Sequence, residues 1–531
     1  MRRFAAIIVA AALAGCSMQP KYVRPDLPVP PSWPVGDAYL AGQEAALPSV
    51  PWRSIFRDAR LQAIVERALA ENRDLRVAAA NIRAARAQYR IQRADLLPEI
   101  DASGRYSYAH SNGGSRTAPG TGGTGAGPGT GTGTGGTGTG GTGTGGTGTG
   151  GIGTGAGTTV FSSGGGGSSW SLDLGTTAFE IDLFGRIRSL TDAALNRYFE
   201  QEAAARATRL SLVSEIADAW LTYASDASLL KIAQETAASA QRSVALTRAR
   251  LQGGIAPRTD LRQAEQILAT AESDLAVQRT ALAQDVNALQ LLVGAPVEAR
   301  LLPASIDDAG AGIAELPAGI DSGVLLRRPD VVQAEYELRA VNAEIGAARA
   351  ALFPRLSLTG LLGLASGGLS SLFTSGAFNY SVAPSVSYPI FRAGAGVAGL
   401  RYSQAQRDAA LATYEKTIQT AFQEVSDALA RRGTITDQLS ANRRLRDAAQ
   451  DNFLLSDARY RGGIDTFLTS LDAQRTLYTA QRTLVTTELT RASNLVALYR
   501  TLGGDATLDA GKDGPVPLTP EDAATRADRG R

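Results

Sequence analysis

The chain has 531 residues, enough for two or three domains or one long one, and a net charge of +2 that leaves no electrostatic case for nucleic acid. One cysteine and one histidine exclude a disulfide framework and a His/Cys metal cluster, and no nucleotide loop or catalytic triad is visible, so an enzyme is not expected. No run of about 18 apolar residues exists to make a transmembrane helix, so any membrane crossing has to be made with strands.

Arg2 and Arg3 precede an apolar stretch from Phe4 to Leu13, the pattern of a secretory signal peptide over residues 1–15. It ends in Leu13-Ala14-Gly15-Cys16, which is similar to the lipobox of bacterial lipoproteins. Cys16 is the only cysteine in the chain and the candidate lipidation site; a plain signal peptide containing a cysteine is the alternative. A covalent lipid anchors a protein without spanning the bilayer. Ser17 follows, not Asp, which by analogy directs a lipoprotein to the outer membrane. Residues 16–57 hold many prolines and read as an extended, lipidated tether.

A first repeat occupies 58–294. A helical pattern runs from Asp58 to Leu97 and stops at Pro98, with strands expected at about 98–110 and 168–184. The segment between them, 111–167, contains a Gly/Thr tract from Gly120 to Thr159 with too few apolar groups to offset ordering entropy; a flexible loop is expected, with a partial cover over a channel mouth as the alternative. A long helix follows Gly185 up to Gly253-Gly254, and a second starts near Pro257 and ends at Gly294. Residues 295–320 read as a connector.

The pattern then starts over in 321–503, with a helix, strands at about 354–366 and 378–391, a helix from about Gly396 to Arg461, the pair Gly462-Gly463, and a helix to Leu502. Ala249-Arg-Leu-Gln-Gly-Gly-Ile255 returns as Ala458-Arg-Tyr-Arg-Gly-Gly-Ile464, 209 positions later (464 − 255). Both copies lie between long helical patterns, so each reads as the tip of a helical hairpin. Helical patterns above about 25 residues without breaks point to coiled-coil packing. Residues 504–531 are rich in Gly, Asp and Pro and read as a disordered tail.

The strands carry a two-residue period. Ile100, Ala102, Gly104, Tyr106 and Tyr108 alternate with Glu99, Asp101, Ser103, Arg105 and Ser107. Phe378, Tyr380, Val382, Val386, Tyr388 and Ile390 alternate with polar residues in the same way. About ten residues of this alternation is the signature of a transmembrane β-strand, and a half-buried soluble sheet is the other reading. Four strands cannot close a barrel, because the smallest membrane barrels need about eight, so a membrane role demands several copies.

The Leu-Ala-Gly-Cys16 box, Phe179-Glu-Ile-Asp-Leu-Phe-Gly-Arg186, Arg328-Pro-Asp330, the twin Gly-Gly-Ile tips and Leu471-Asp-Ala-Gln-Arg475 together resemble the TolC-like outer-membrane factors, in the lipoprotein branch that includes OprM. The resemblance implies an all-α chain with a small transmembrane β part. Three copies would form a twelve-stranded β-barrel in the outer membrane, continuous with a twelve-helix barrel in the periplasm. It implies a homotrimer acting as a passive duct for drugs or other small molecules, fed by a periplasmic adaptor and an inner-membrane pump of the RND type. No cofactor or metal is implied beyond the lipid on Cys16. Adaptor docking carries onto Gly253, Gly254, Ile255, Gly462, Gly463 and Ile464, and the periplasmic gate onto Asp260, Tyr460 and Asp472. Asp465 stands where some members have a basic gate residue, and Thr469 where some have an acid. Protein export through the same fold, or a structural coiled-coil lipoprotein, are the alternatives.

Overall fold

A computed structural model describes residues 17–39, 51–109, 167–315, 322–508, 510–511 and 514–515. Cys16, the Gly/Thr tract and the last sixteen positions lie outside the described residues. The chain divides into a helical unit (Met1–Leu97, Ile181–Leu356, Val386–Arg531) and a sheet unit (Pro98–Glu180, Ser357–Ser385).

The helical unit opens with α1 (Trp52–Ile55), α2 (Ala59–Glu71) and α3 (Arg73–Ala94), continues with the long α4 (Arg186–Gln252) and α5 (Arg258–Val293), and passes through the short α6 (Ile306–Ala311). Then come α7 (Pro329–Ala350), the long α8 (Ala395–Arg461) and α9 (Phe467–Thr501). Both long helices have 67 residues, about 100 Å at 1.5 Å per residue. Each starts after a glycine in the left-handed region, Gly185 (φ 75°) and Gly394 (φ 82°), where a side chain would be strained. The main core gathers Trp220, Ile216 and Leu221 of α4, Leu289 and Val293 of α5, Tyr414 and Ile418 of α8, and Val496 and Tyr499 of α9. Among the described residues, no helix is long and apolar enough to cross a membrane.

The structure differs from the sequence reading at four places. The pattern from Asp58 to Leu97 is two helices that break at Asn72. The Asn72 carboxamide accepts from Leu75 N at 2.9 Å and donates to the Leu292 carbonyl at 2.7 Å, so it caps α3 while holding the end of α5. The connector 295–320 contains α6, whose Ile306 and Ala309 are in the core. The tether is docked over its described part. Trp33 is buried and stacks on Phe422 with ring centroids 4.8 Å apart, Asn342 donates to the Pro20 carbonyl, and Trp52 and Phe56 belong to the core itself. The tail is ordered through Leu508: Asp505 accepts from Tyr499 Oη at 2.9 Å and pairs with Arg209 at 2.9 Å, and Leu508 packs beside Val332 and Tyr336. Proline content and glycine content hid these contacts, because backbone freedom is a local property and docking is a tertiary one.

In the sheet unit, β1 (Asp101–Ala109), β2 (Gly167–Ile181), β3 (Arg355–Ser366) and β4 (Phe378–Ser387) lie side by side in that order. The β1–β2 register is antiparallel and opposes Tyr106 to Trp170, Gly104 to Leu172 and Ala102 to Leu174. The apolar residues of both strands therefore share a face, while Ser103 opposite Asp173 and Arg105 opposite Ser171 share the other. Tyr106 and Trp170 rings are 4.5 Å apart, and Ser107–Ser169 and Ser357–Ser385 hydroxyl pairs at 2.7 Å lace the polar face. The apolar face is bare: Tyr106, Tyr108, Leu172, Leu174, Tyr380, Val382 and Val386 are all exposed. β1 and β4 are edge strands.

Candidate functional site: the twin hairpin tips

The two tips have the same backbone. In the first, Ile255 N donates to the Arg250 carbonyl at 2.8 Å and Gly254 N to that of Leu251 at 3.0 Å; in the second, Ile464 N donates to Arg459 O at 2.9 Å and Gly463 N to Tyr460 O at 3.0 Å. This is the Schellman end of a helix, and it needs a left-handed residue at one place. Gly254 (φ 72°) and Gly463 (φ 76°) occupy it. Ile255 and Ile464 stand out from the tips, 78% and 67% exposed.

Below the tips, Val244, Leu261, Ala264, Tyr460, Phe467 and Leu471 form a small core of their own that joins the α4–α5 hairpin to the α8–α9 hairpin. Tyr460, expected as a gate residue, is buried at its centre against Phe467 (centroids 5.3 Å apart). Asp260 lies half-buried in the first turn of α5, at the positive end of that helix dipole. Asp472 is exposed on α9. Among the described residues, no hydrogen bond or ion pair joins Asp260 or Asp472 to Tyr460. The three candidates thus share one end of the unit without forming one bonded group.

Arg250 makes the link that the sequence reading missed. Its guanidinium carbon lies 4.4 Å from the Tyr460 ring centroid, and its Nη2 donates to the Tyr460 and Arg461 carbonyls at 3.2 and 3.1 Å. The corresponding Arg459 of the second tip is engaged otherwise: its Nε and Nη2 donate to Asp465 at 2.6 and 3.0 Å. The Arg459 guanidinium holds the Asp465 carboxyl below the usual carboxylate range. The signal was in the repeat: the position equivalent to Asp465 is Ala256 (465 − 209), so Arg250 has no acid on its own tip.

Two of the other motifs hold parts of the helical unit together. Arg328 of the Arg-Pro-Asp triplet is buried and donates to Asp330 at 2.7 Å, to Glu424 at 2.9 Å and to the Thr501 carbonyl at 2.9 Å, clasping the start of α7 to the middle of α8 and the end of α9. Asp182 accepts from Arg188 N at 2.9 Å, and Phe184 stacks on Phe353 at 4.8 Å, one repeat against the other. Among the described residues, no group of three His, Cys, Asp or Glu side chains is placed to hold a metal.

The model of the outer membrane efflux protein family matches residues 64–295 and 322–504, which include both tips. The chain belongs to this family. It is 41% identical over 499 residues to the probable efflux pump outer membrane protein TtgC of Pseudomonas putida, covering 94% of each chain. It is 37% identical to the outer membrane protein OprJ of Pseudomonas aeruginosa, over 94% of this chain and 95% of that one. Among solved structures, the open state of the MtrE outer membrane channel of Neisseria gonorrhoeae superposes with a TM-score of 0.75 at 31% identity, covering 92% of this chain and 99% of that chain. CusC superposes with a TM-score of 0.75 at 32% identity, covering 92% and 100%. The protein is an outer-membrane efflux channel component, and it is not an enzyme.

Proposed function

We propose that three copies of the chain join their sheets into one closed barrel and act as the passive exit duct of a tripartite efflux system. The observation that carries this reading is the four-stranded sheet with a bare apolar face and two open edges. Unpaired edge groups in lipid cost several kcal/mol each, so the edges have to pair with those of other copies. Three copies supply twelve strands and leave room for a lumen, which the polar face with Arg105 and Asp173 suits. The relatives named as outer membrane proteins of antibiotic, toluene and solvent efflux pumps favour small molecules over proteins as cargo.

In this reading the sheet unit lies in the outer membrane with the lipid on Cys16 as a further anchor, and the tips lie in the periplasm. An adaptor docks on Gly253, Gly254, Ile255, Gly462, Gly463 and Ile464, and an RND-type pump delivers the cargo. Closure at rest falls to the tip core around Tyr460, with Asp260 and Asp472 as polar side chains near the same end. Replacing Gly254 and Gly463 by Val tests the docking role. A β-branched side chain at positive φ costs about 1–2 kcal/mol at each tip, too little to unfold helices of this length. Export should fall while trimers are still recovered from outer membranes. Full export by the double variant would refute docking at these tips. A monomeric, lipid-free protein would refute the duct itself.

A further inference from the structure

Beside the tip core, a cleft of about 390 Å³ opens between the two hairpins, with Arg242 and Arg250 of α4 on one wall and Asp457, Tyr460, Arg461 of α8 and Phe467 of α9 on the other. Three guanidiniums face one carboxylate, a local balance of +2 (3 − 1). Asp457 is already satisfied by Arg461 at 2.7 Å. Arg250 is spent on neutral partners only, two carbonyls and a ring. Arg242 has no hydrogen bond or ion pair among the described residues. The Tyr460 hydroxyl is buried and has no hydrogen-bond partner among them either, so the polar groups of this site are not fully satisfied.

Resting on the docking role given above, we propose that the cleft receives an acidic side chain carried on a helical segment of the partner protein, and that this carboxylate draws Arg250 away from Tyr460. A carboxylate offers a guanidinium an opposite charge and two parallel N–H···O bonds, which the carbonyls and the ring do not, so the incoming group competes well with them. The helical form of the partner follows from the walls. The cleft runs between helices, and Ile255 and Ile464, exposed at the two tips, offer apolar anchors beyond its lining, the combination that seats a helix in a groove. Docking and loosening of the tips are then a single event, because the residue that binds the visitor is the residue that ties the hairpins together.

The test uses the full-length protein in detergent and a synthetic helical hairpin peptide bearing Glu at its tip, against the same peptide bearing Gln. The Glu peptide should bind about tenfold more tightly. Arg250→Gln should remove most of that difference, and Arg242→Gln, which alters only an exposed side chain and leaves the Tyr460 contact in place, should remove a smaller part. Arg250→Glu should reverse the preference. It should also shrink between about 50 mM and about 500 mM salt, as screening requires. Equal binding of the two peptides, or a preference that survives Arg250→Glu, would overturn the proposal. So would inorganic sulfate displacing the Glu peptide completely at equal concentration, which would assign the cleft to a free anion. If Gly254→Val with Gly463→Val blocks export while the peptides bind equally, docking at the tips stands and the acidic visitor alone is refuted.

Discussion

Arg250 of the first hairpin lies over the ring of Tyr460 in the second, 4.4 Å from its centroid, and so ties together two helical pairs that a small apolar core also joins near the tips. The duplicated partner of Arg250, Arg459, is held within its own tip by Asp465. Two differences between the copies bear on which arginine reaches across: Ala256 against Asp465, which holds Arg459, and Leu251 against Tyr460, which supplies the ring.

Ala256→Asp therefore offers Arg250 an acid on its own tip and should weaken the cross-link. A cation over an aromatic ring contributes about 0.5–2 kcal/mol depending on desolvation, a factor of up to about 30 in a two-state equilibrium. Cells carrying this variant should become more sensitive to a large hydrophilic antibiotic that the closed channel keeps out. Sensitivity equal to that of wild type would show that Arg250 does not restrain the tips.

The docked N-terminal segment depends on Glu335, a fully buried carboxylate on α7 that accepts from Arg24 at 2.6 Å and from Tyr22 Oη at 3.2 Å. Removing one member of a buried ion pair costs about 3–5 kcal/mol, because the other is left uncompensated. Glu335→Gln should release residues 17–39 and speed tryptic cleavage at Lys21, read by mass spectrometry. Cleavage at the wild-type rate would mean that Trp33 and Pro20 hold the segment unaided.

Arg328→Lys keeps the charge and loses the fork that reaches Asp330, Glu424 and the Thr501 carbonyl together. A loss of about 2 kcal/mol is expected for the missing charged hydrogen bonds, seen as a lower unfolding temperature with export retained. Loss of export without loss of stability would instead give the motif a transport role.

Acidification should stabilise the helical unit at first. Burial pushes the Glu337 carboxyl up to about 7, with Glu200 beside it, and burial pushes Glu488 to about 7, with Asp307 beside it. Burial likewise raises Asp218 to about 6, and it raises Asp285 to about 6 next to Asp226. These groups hold more protons folded than unfolded, so stability falls as pH rises through that window and is greatest below it. Asp58, held down by its bonds to Arg60, loses its contribution only at lower pH. The unfolding temperature should rise between about pH 8 and about pH 5, and Glu337→Gln should flatten the slope. A temperature that falls over this range would refute the assignment.

The repeat carried most of the fold in plain view. Hydrophobic period and the Gly-Gly echo located both hairpins, and strand parity placed Ile100, Tyr106 and Tyr108 on one face of β1 before its pairing was known. What stayed hidden depends on partners distant in sequence. Asn72 looks like one more polar residue on a helix until Leu292 is beside it, and Trp33 looks like part of a loose tether until Phe422 receives it. At the tips, Tyr460 was visible as a candidate, but its partner Arg250 was not, because the two stand 210 positions apart and only packing brings them together.

The central claim, a duct closed at rest where the hairpin tips meet, is tested most directly by single-channel conductance across a planar bilayer. The full-length wild-type protein is compared with a variant carrying Arg250→Ala and Tyr460→Ala. The wild type should insert and conduct little, and the variant should show frequent, larger openings. Equal conductance in the two proteins, or no channel activity in either, would contradict the account.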